Sequence, residues 1–305
     1  MFASAQKASA GGAKIAMIRM KFTIDLRYAI AGQASDFIFN IHAAVTDQQR
    51  LVEEILDIVP LATAQVCAAT AEGTRYMRLR AEPGPLGVRY GATVDIDHRI
   101  ESPSTIEETP VALLPPAVLA YVYPSRYCQS DRLRRFATRE FGHLRQGYWR
   151  VQAIRDWVCQ RTTFTIGSSN VSTSAVDTLI EQVGVCRDFA HLMIALCRAV
   201  NIPARFISGI DYGAAAALGP IDFHAYVEVF LGRRWYLFDP TGISPPTGLV
   251  RIGTGRDASD VSFATLFGSV TSQAPVIQID ALDDPANGFL RPWHSADAVS
   301  TMAAG

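Results

Sequence analysis

Three side chains in this sequence have the types and spacing for nucleophilic chemistry. They are Cys186 in "EQVGVCRDFAHLMIALCRAVNIPAR" (181–205), His224 in "FHAYVEVFL" (223–231) and Asp239 in "RWYLFDP" (234–240). Gly184 lies two residues before Cys186, and the apolar spacing of Phe189, Leu192, Met193, Leu196 and Val200 begins just after it. Cys186 therefore falls in the first turn of a helix. The unpaired backbone N–H groups and the positive end of the helix dipole favour an anion there, which suits a thiolate. Cys197 is eleven residues further on. That is roughly 20° around the axis but about 16 Å along it, so the two thiols share neither a metal nor a disulfide. Cys197 reads as a small core residue. His191 sits about 140° around the helix from Cys186, which makes it a poor base and excludes a zinc site from 186, 191 and 197.

A thiol nucleophile needs a base, and the strand "FHAYVEVFL" offers one. Its odd members, Phe223 to Leu231, form an apolar face, which leaves His224, Tyr226 and Glu228 on a polar face. If Gly232 and Arg233 form a two-residue II′ turn, Leu231 pairs with Arg234 and Tyr226 lies opposite Asp239. Asp239 is then on the His224 face, one diagonal step away, within reach of the imidazole's far nitrogen. A three-residue turn would flip it to the other face. Nucleophile, base and orienting carboxylate are then all present.

The elements that must position these residues lie in a chain of 305 residues with a formal net charge of -1. The length favours two domains. Lys+Arg 28 against Asp+Glu 29 argues against a dedicated nucleic-acid binder, and the basic run "RLRRFATR" (132–139) reads as a solvated helix face. Five cysteines without a CxxC pair read as reduced thiols of a cytoplasmic protein. Residues 1–19 read as a disordered leader without the apolar run of a signal peptide. No stretch is long and apolar enough to span a membrane, since "VALLPPAVLAYVY" (111–123) carries two prolines.

From 20 to 115 short apolar runs alternate with Gly, Pro and Asp, the writing of a β-rich N-terminal domain. "QQRLVEEILDI" (48–58) fits either a helix or a charged strand, and the proline-rich "ESPSTIEETPVALLPPA" (101–117) fits a linker. Helical spacing follows in "SDRLRRFATREF", "GYWRVQAIRDWVCQRT" and "TSAVDTLIEQ", and strands return after "NIPARFISGID". Helices leading into a sheet over 116–275 make an α+β catalytic domain, with 276–305 as a C-terminal extension.

The residues "GVCRDFAHLMIALCRAVNIPARFISG", "DFHAYVEVFLGRRWYLFDPTG" and "GRDASDV" (255–261) resemble the core of the bacterial transglutaminase-like superfamily, which includes proteins described as cysteine proteases. The likeness spans about 130–270, and the upstream part is similar to the N-terminal domain that often precedes this core. The resemblance implies a papain-like α+β fold with a helix-borne Cys packed on an antiparallel sheet. It also implies Cys186 as nucleophile, His224 as general base and acid, and Asp239 as the residue orienting the His. Asp222-Phe223 before the His, where a small residue is common, and Tyr226, where Trp is frequent, depart mildly from the pattern.

Such a triad attacks an amide and passes the acyl group to water or an amine through a thioester. The substrate is then a peptide or protein, with no cofactor, metal, nucleic acid or membrane implied, and with the oligomeric state open. The Cys186 N–H is one oxyanion donor, and Gln182 and Trp149 are candidates for the second. Asp188 reads as an ordinary first-turn helix stabiliser, and Arg256-Asp257 as a structural pair or turn at the site's edge. His42, His98, His143 and His294 have no partners at telling spacing. The competing reading is a binding or scaffold protein that keeps the fold without turnover.

Overall fold

A computed structural model describes residues 14–214 and 220–301. In chain order the strands of the first half are β1 (Lys14–Phe39), β2 (Gln49–Val59), β3 (Ala64–Val66), β4 (Met77–Ala81) and β5 (Gly84–Glu101). Helices α1 (Ser130–Phe141) and α2 (Tyr148–Arg161), the short β6 (Thr163–Phe164), α3 (Ala175–Glu181), the short β7 (Val183–Gly184) and α4 (Cys186–Ala199) follow. The chain then forms β8 (Ala204–Ile210), β9 (Phe223–Leu231), β10 (Arg234–Phe238) and β11 (Val250–Gly255). It closes with β12 (Ala264–Ser272), β13 (Val276–Ala281) and β14 (Ala298–Ser300).

The first sheet is built on β1. Its first half pairs with β5 and β13 and its second half with β4 and β12, with a register shift between Ala31 and Asp36. The ambiguous "QQRLVEEILDI" is a strand, since β2 runs antiparallel to β5 with Ile58 facing the core and its glutamates facing water. The strand pairing redraws the end of the chain. The sequence reading closed the catalytic domain at 275 and set 276–305 apart as an extension, yet β12, β13 and β14 all add to the first sheet. Their apolar residues Ile277 and Ile279 enter its core, which no sequence pattern could assign to strands some 250 residues upstream.

The second sheet has the order β10-β9-β8-β11, all antiparallel. Helix α4 lies on it, buried along its length from Asp188 to Ala199, with α1, α2 and α3 around it. Burying a large aliphatic side chain is worth about 1.5–3 kcal/mol. Leu192, Met193, Ile194 and Leu196 thus fix α4 as a rigid platform. The proline-rich stretch is anchored rather than free: Leu114, Val118 and Tyr121 pack on Phe230 and Trp235, and Glu108 accepts from Arg150 and from the Gly147 N–H. The odd face of β9 packs on α4 as its alternation implies, but the even face is also buried, because Glu228 there is neutralised by Arg205 and Arg251. A polar face is therefore not a solvent face in this strand.

Candidate active site

Cys186 opens α4. Val185, in extended conformation, precedes it, and the Asp188 carboxylate accepts a hydrogen bond from the Val185 N–H at 2.9 Å. Gly184 permits this turn, since a Cβ there would come 2.7 Å from the Asp188 Cβ. The parallel pairing of Thr163–Phe164 with Val183–Gly184 fixes the approach. Asp188 is thus the helix stabiliser the sequence suggests, and Arg187 pairs with it while donating to the Asn170 carbonyl. The half-buried Cys186 Sγ lies 3.8 Å from the Phe223 carbonyl oxygen, which brings it to the first residues of β9.

The hairpin that carries the other two residues has the predicted length and a different turn type. Leu231 pairs with Arg234, but Gly232 and Arg233 both have positive φ, 51° and 68°, the I′ rather than the II′ pattern. Both turns hold two residues, so the register is the same. His224 Nε2 meets Asp239 Oδ1 at 3.3 Å. Asp239 is itself fixed by further contacts. Its Oδ1 accepts from the Thr241 N–H at 2.9 Å and from the Thr241 hydroxyl at 2.6 Å, and its Oδ2 accepts from the Ser244 N–H at 3.0 Å. From α2, Arg155 donates to its carbonyl at 2.8 Å.

The electrostatics follow from burial and pairing. Burial disfavours the His224 imidazolium, but the Asp239 charge, its hydrogen bond and the Cys186 thiol outweigh this and raise the pKa well above the usual value. Burial likewise raises Asp239, yet His224, Thr241 and the Ser244 N–H bring it below the usual carboxylate range. With Nε2 on Asp239, Nδ1 is the ring nitrogen that remains for a second partner. A thiol, an imidazole and a carboxylate in this order can generate a nucleophile and return a proton to a leaving group.

Residues 135–240 match the transglutaminase-like superfamily, and residues 18–117 match the bacterial transglutaminase N-terminal domain. A solved structure from Cytophaga hutchinsonii, described as a candidate cysteine protease, is 37% identical, with a TM-score of 0.85 over 95% of this chain and 98% of that one. The chain belongs to the transglutaminase-like superfamily. Among curated relatives, an uncharacterized protein of Mycobacterium leprae is 32% identical over 117 residues, 37% of this chain and 42% of that protein. YebA of Bacillus subtilis is 28% identical over 164 residues, 46% of this chain and 22% of that protein. The chain thus spans less than half the length of these curated relatives.

Within this superfamily member the remaining sequence-predicted residues sort clearly. Cys197 is fully buried in the helical core, which pushes its pKa up. His191 is also fully buried. Its Nε2 accepts from the Ala258 N–H at 3.1 Å and its ring stacks on Tyr127, so it is not turned to Cys186. Asp257 caps the loop around it, accepting from the Tyr127 and Ser259 N–H groups, while Arg256 pairs with Asp260. Trp149 is 54% exposed on a cleft with Ile106, Glu107 and Arg145, and among the described residues neither it nor Gln182 hydrogen-bonds Cys186. No helix of the described residues is long and apolar enough to cross a membrane.

Sequence reasoning missed the supports. Thr241 was legible in principle, since an Asp two residues before a Thr writes a local side-chain turn. Ser244 is brought in by the folding of the loop that follows Asp239, whereas Arg155 and Asp211, which lies 4.0 Å from His224 Nδ1, are brought in by tertiary contact alone.

Proposed function

We propose that this chain is a thiol-dependent hydrolase or acyl transferase of peptide or protein amides, working as a cysteine protease or amidase in a cytoplasm. The observation that supports this reading is that His224 meets the buried Asp239 at 3.3 Å while the Cys186 Sγ, at the start of a helix, lies 3.8 Å from the carbonyl of the residue before that histidine. The Cys186 thiolate attacks the amide carbonyl carbon, His224 protonates the departing amine as the C–N bond breaks, and a thioester remains. Water or a second amine then gives its proton to His224 and attacks the thioester carbon, and the sulfur leaves. Asp239 keeps the ring in the orientation this requires. The Cys186 N–H serves the oxyanion, with Gln182 or Trp149 as candidates for the second donor.

The test begins with iodoacetamide near neutral pH. Cys186 should be alkylated at least ten times faster than Cys197, and equal rates would end the catalytic reading. A peptide library, incubated with and without a primary amine, then separates the outcomes by mass. Cleavage products mark a protease, amine uptake with loss of ammonia a transferase, and conversion of Gln to Glu a deamidase. No change in any channel points to a binding protein on the same fold.

A further inference from the structure

His224 has a carboxylate on each side of its ring. Nε2 meets Asp239 at 3.3 Å, and on the other side Asp211 Oδ2 lies 4.0 Å from Nδ1. Strand register explains the arrangement. Gly209 pairs with His224 and Ile210 with Phe223, so continuing the ladder sets Asp211 opposite Asp222, one diagonal step from His224. On the other flank the same continuation sets Asp239 opposite Tyr226. Gly209, opposite His224, lets β8 lie close against β11, since a Cβ there would come 2.2 Å from the Leu249 Cδ1.

Ser244 joins the two carboxylates. Its N–H donates to Asp239 and its hydroxyl to Asp211 Oδ2. Asp211 is buried, so its field on the ring is little screened. A separation of 4.0 Å is too long for a hydrogen bond, so the effect on Nδ1 is one of charge. The groups facing the ring are Cys186 from α4, Asp211 after β8, Asp222 just before β9, Tyr226 from β9, and Asp239 after β10.

We propose that Asp211 is a positioning residue for His224, the carboxylate that holds the Nδ1 side of the ring while Cys186 is acylated. The inference rests on the Cys186–His224 reading above. In the free enzyme a thiolate can balance the imidazolium from that side. In the thioester the sulfur is neutral and that partner is gone. When water or an amine attacks, its O–H or N–H bond breaks and the proton passes to Nδ1 as the new bond to the carbonyl carbon forms. The positive charge then appears 4.0 Å from Asp211. As the C–S bond breaks the sulfur leaves as a thiolate and the proton stays on His224, which restores the pair of the free enzyme.

Alkylating Cys186 with iodoacetamide gives a neutral sulfur without needing the natural substrate. In that form the His224 titration is followed by NMR in the wild type, Asp211→Asn, Asp211→Ser and Asp211→Glu. Loss of the charge should lower the His224 midpoint by about one pH unit, while Asp211→Glu stays near wild type. An unmoved midpoint in Asp211→Asn, or the same displacement in Asp211→Glu, overturns the role of Asp211 alone. Failure of Cys186 to outpace Cys197 in the alkylation step overturns the reading beneath it as well. Recovery of neither charge-removing variant as a folded protein would assign Asp211 to the fold and also overturn the proposal.

Discussion

At the scale of single residues, the histidines separate by what surrounds them. His224 is held charged by its neighbours, whereas burial pushes His191 down to about 3 and His42 down to about 4. The signs of their contributions to stability are therefore opposite. His224, with a raised folded pKa, stabilises the fold below its unfolded value of about 6.5 and loses that contribution as pH rises through the folded value. His191 and His42, with lowered folded values, stay neutral in the fold, so the unfolded chain binds more protons below about 6.5 and stability falls. Denaturant midpoints should thus decrease between pH 7 and pH 4. His191→Gln, which can still accept from the Ala258 N–H, should flatten that decrease. An equally steep loss in the variant would remove His191 as its cause.

At the scale of elements, the site depends on the parity of one turn. Gly232 and Arg233 both sit at positive φ, which suits glycine and strains arginine. Arg233→Gly should raise stability by about 1 kcal/mol and leave Cys186 reactivity unchanged. One glycine inserted after Gly232 should instead turn Asp239 to the opposite face and reduce Cys186 alkylation toward the rate of Cys197. Denaturant melts and the alkylation rates read the two outcomes. This turn also shows how far the sequence was legible. The helix start at Cys186, the alternation of β9 and the two-residue loop are local features, and they are enough to set Asp239 beside His224 and Cys186 in a first helical turn, while the packing of α4 on β9 that brings Cys186 to this strand is a tertiary contact. Asp211 depends on the register of β8 against β9, strands joined by a long connection rather than a short turn. The place of β12 and β13 depends on pairing with β1, so neither could be read from neighbouring residues.

At the scale of the whole molecule, the two sheets are held to one another by a polar knot. Gln49, at the start of β2, donates to the Arg251 carbonyl and accepts from the Arg251 N–H, both at 2.8 Å, while Ile210, Val250 and Ile252 enter the first sheet's core. The Arg251 guanidinium turns inward to Glu228 and also reaches Thr301 beside β14 at 3.0 Å. Arg205 completes the knot, bonding Glu228 at 2.8 Å and stacking on Trp235 at 3.9 Å. Glu228 is fully buried, so its charge is what permits two arginines to stay there. Removing that charge leaves both uncompensated. Glu228→Gln should therefore cost about 3–5 kcal/mol, whereas Asp36→Ala, which breaks an exposed pair with Arg80, should cost less than about 1 kcal/mol. Because the knot touches both sheets and the final strand's neighbour, the loss should fall on one cooperative transition, with circular dichroism and tryptophan fluorescence moving to the same lower midpoint. Two separated midpoints, or a cost no larger than that of Asp36→Ala, would show that the sheets melt independently and that the knot does not join them.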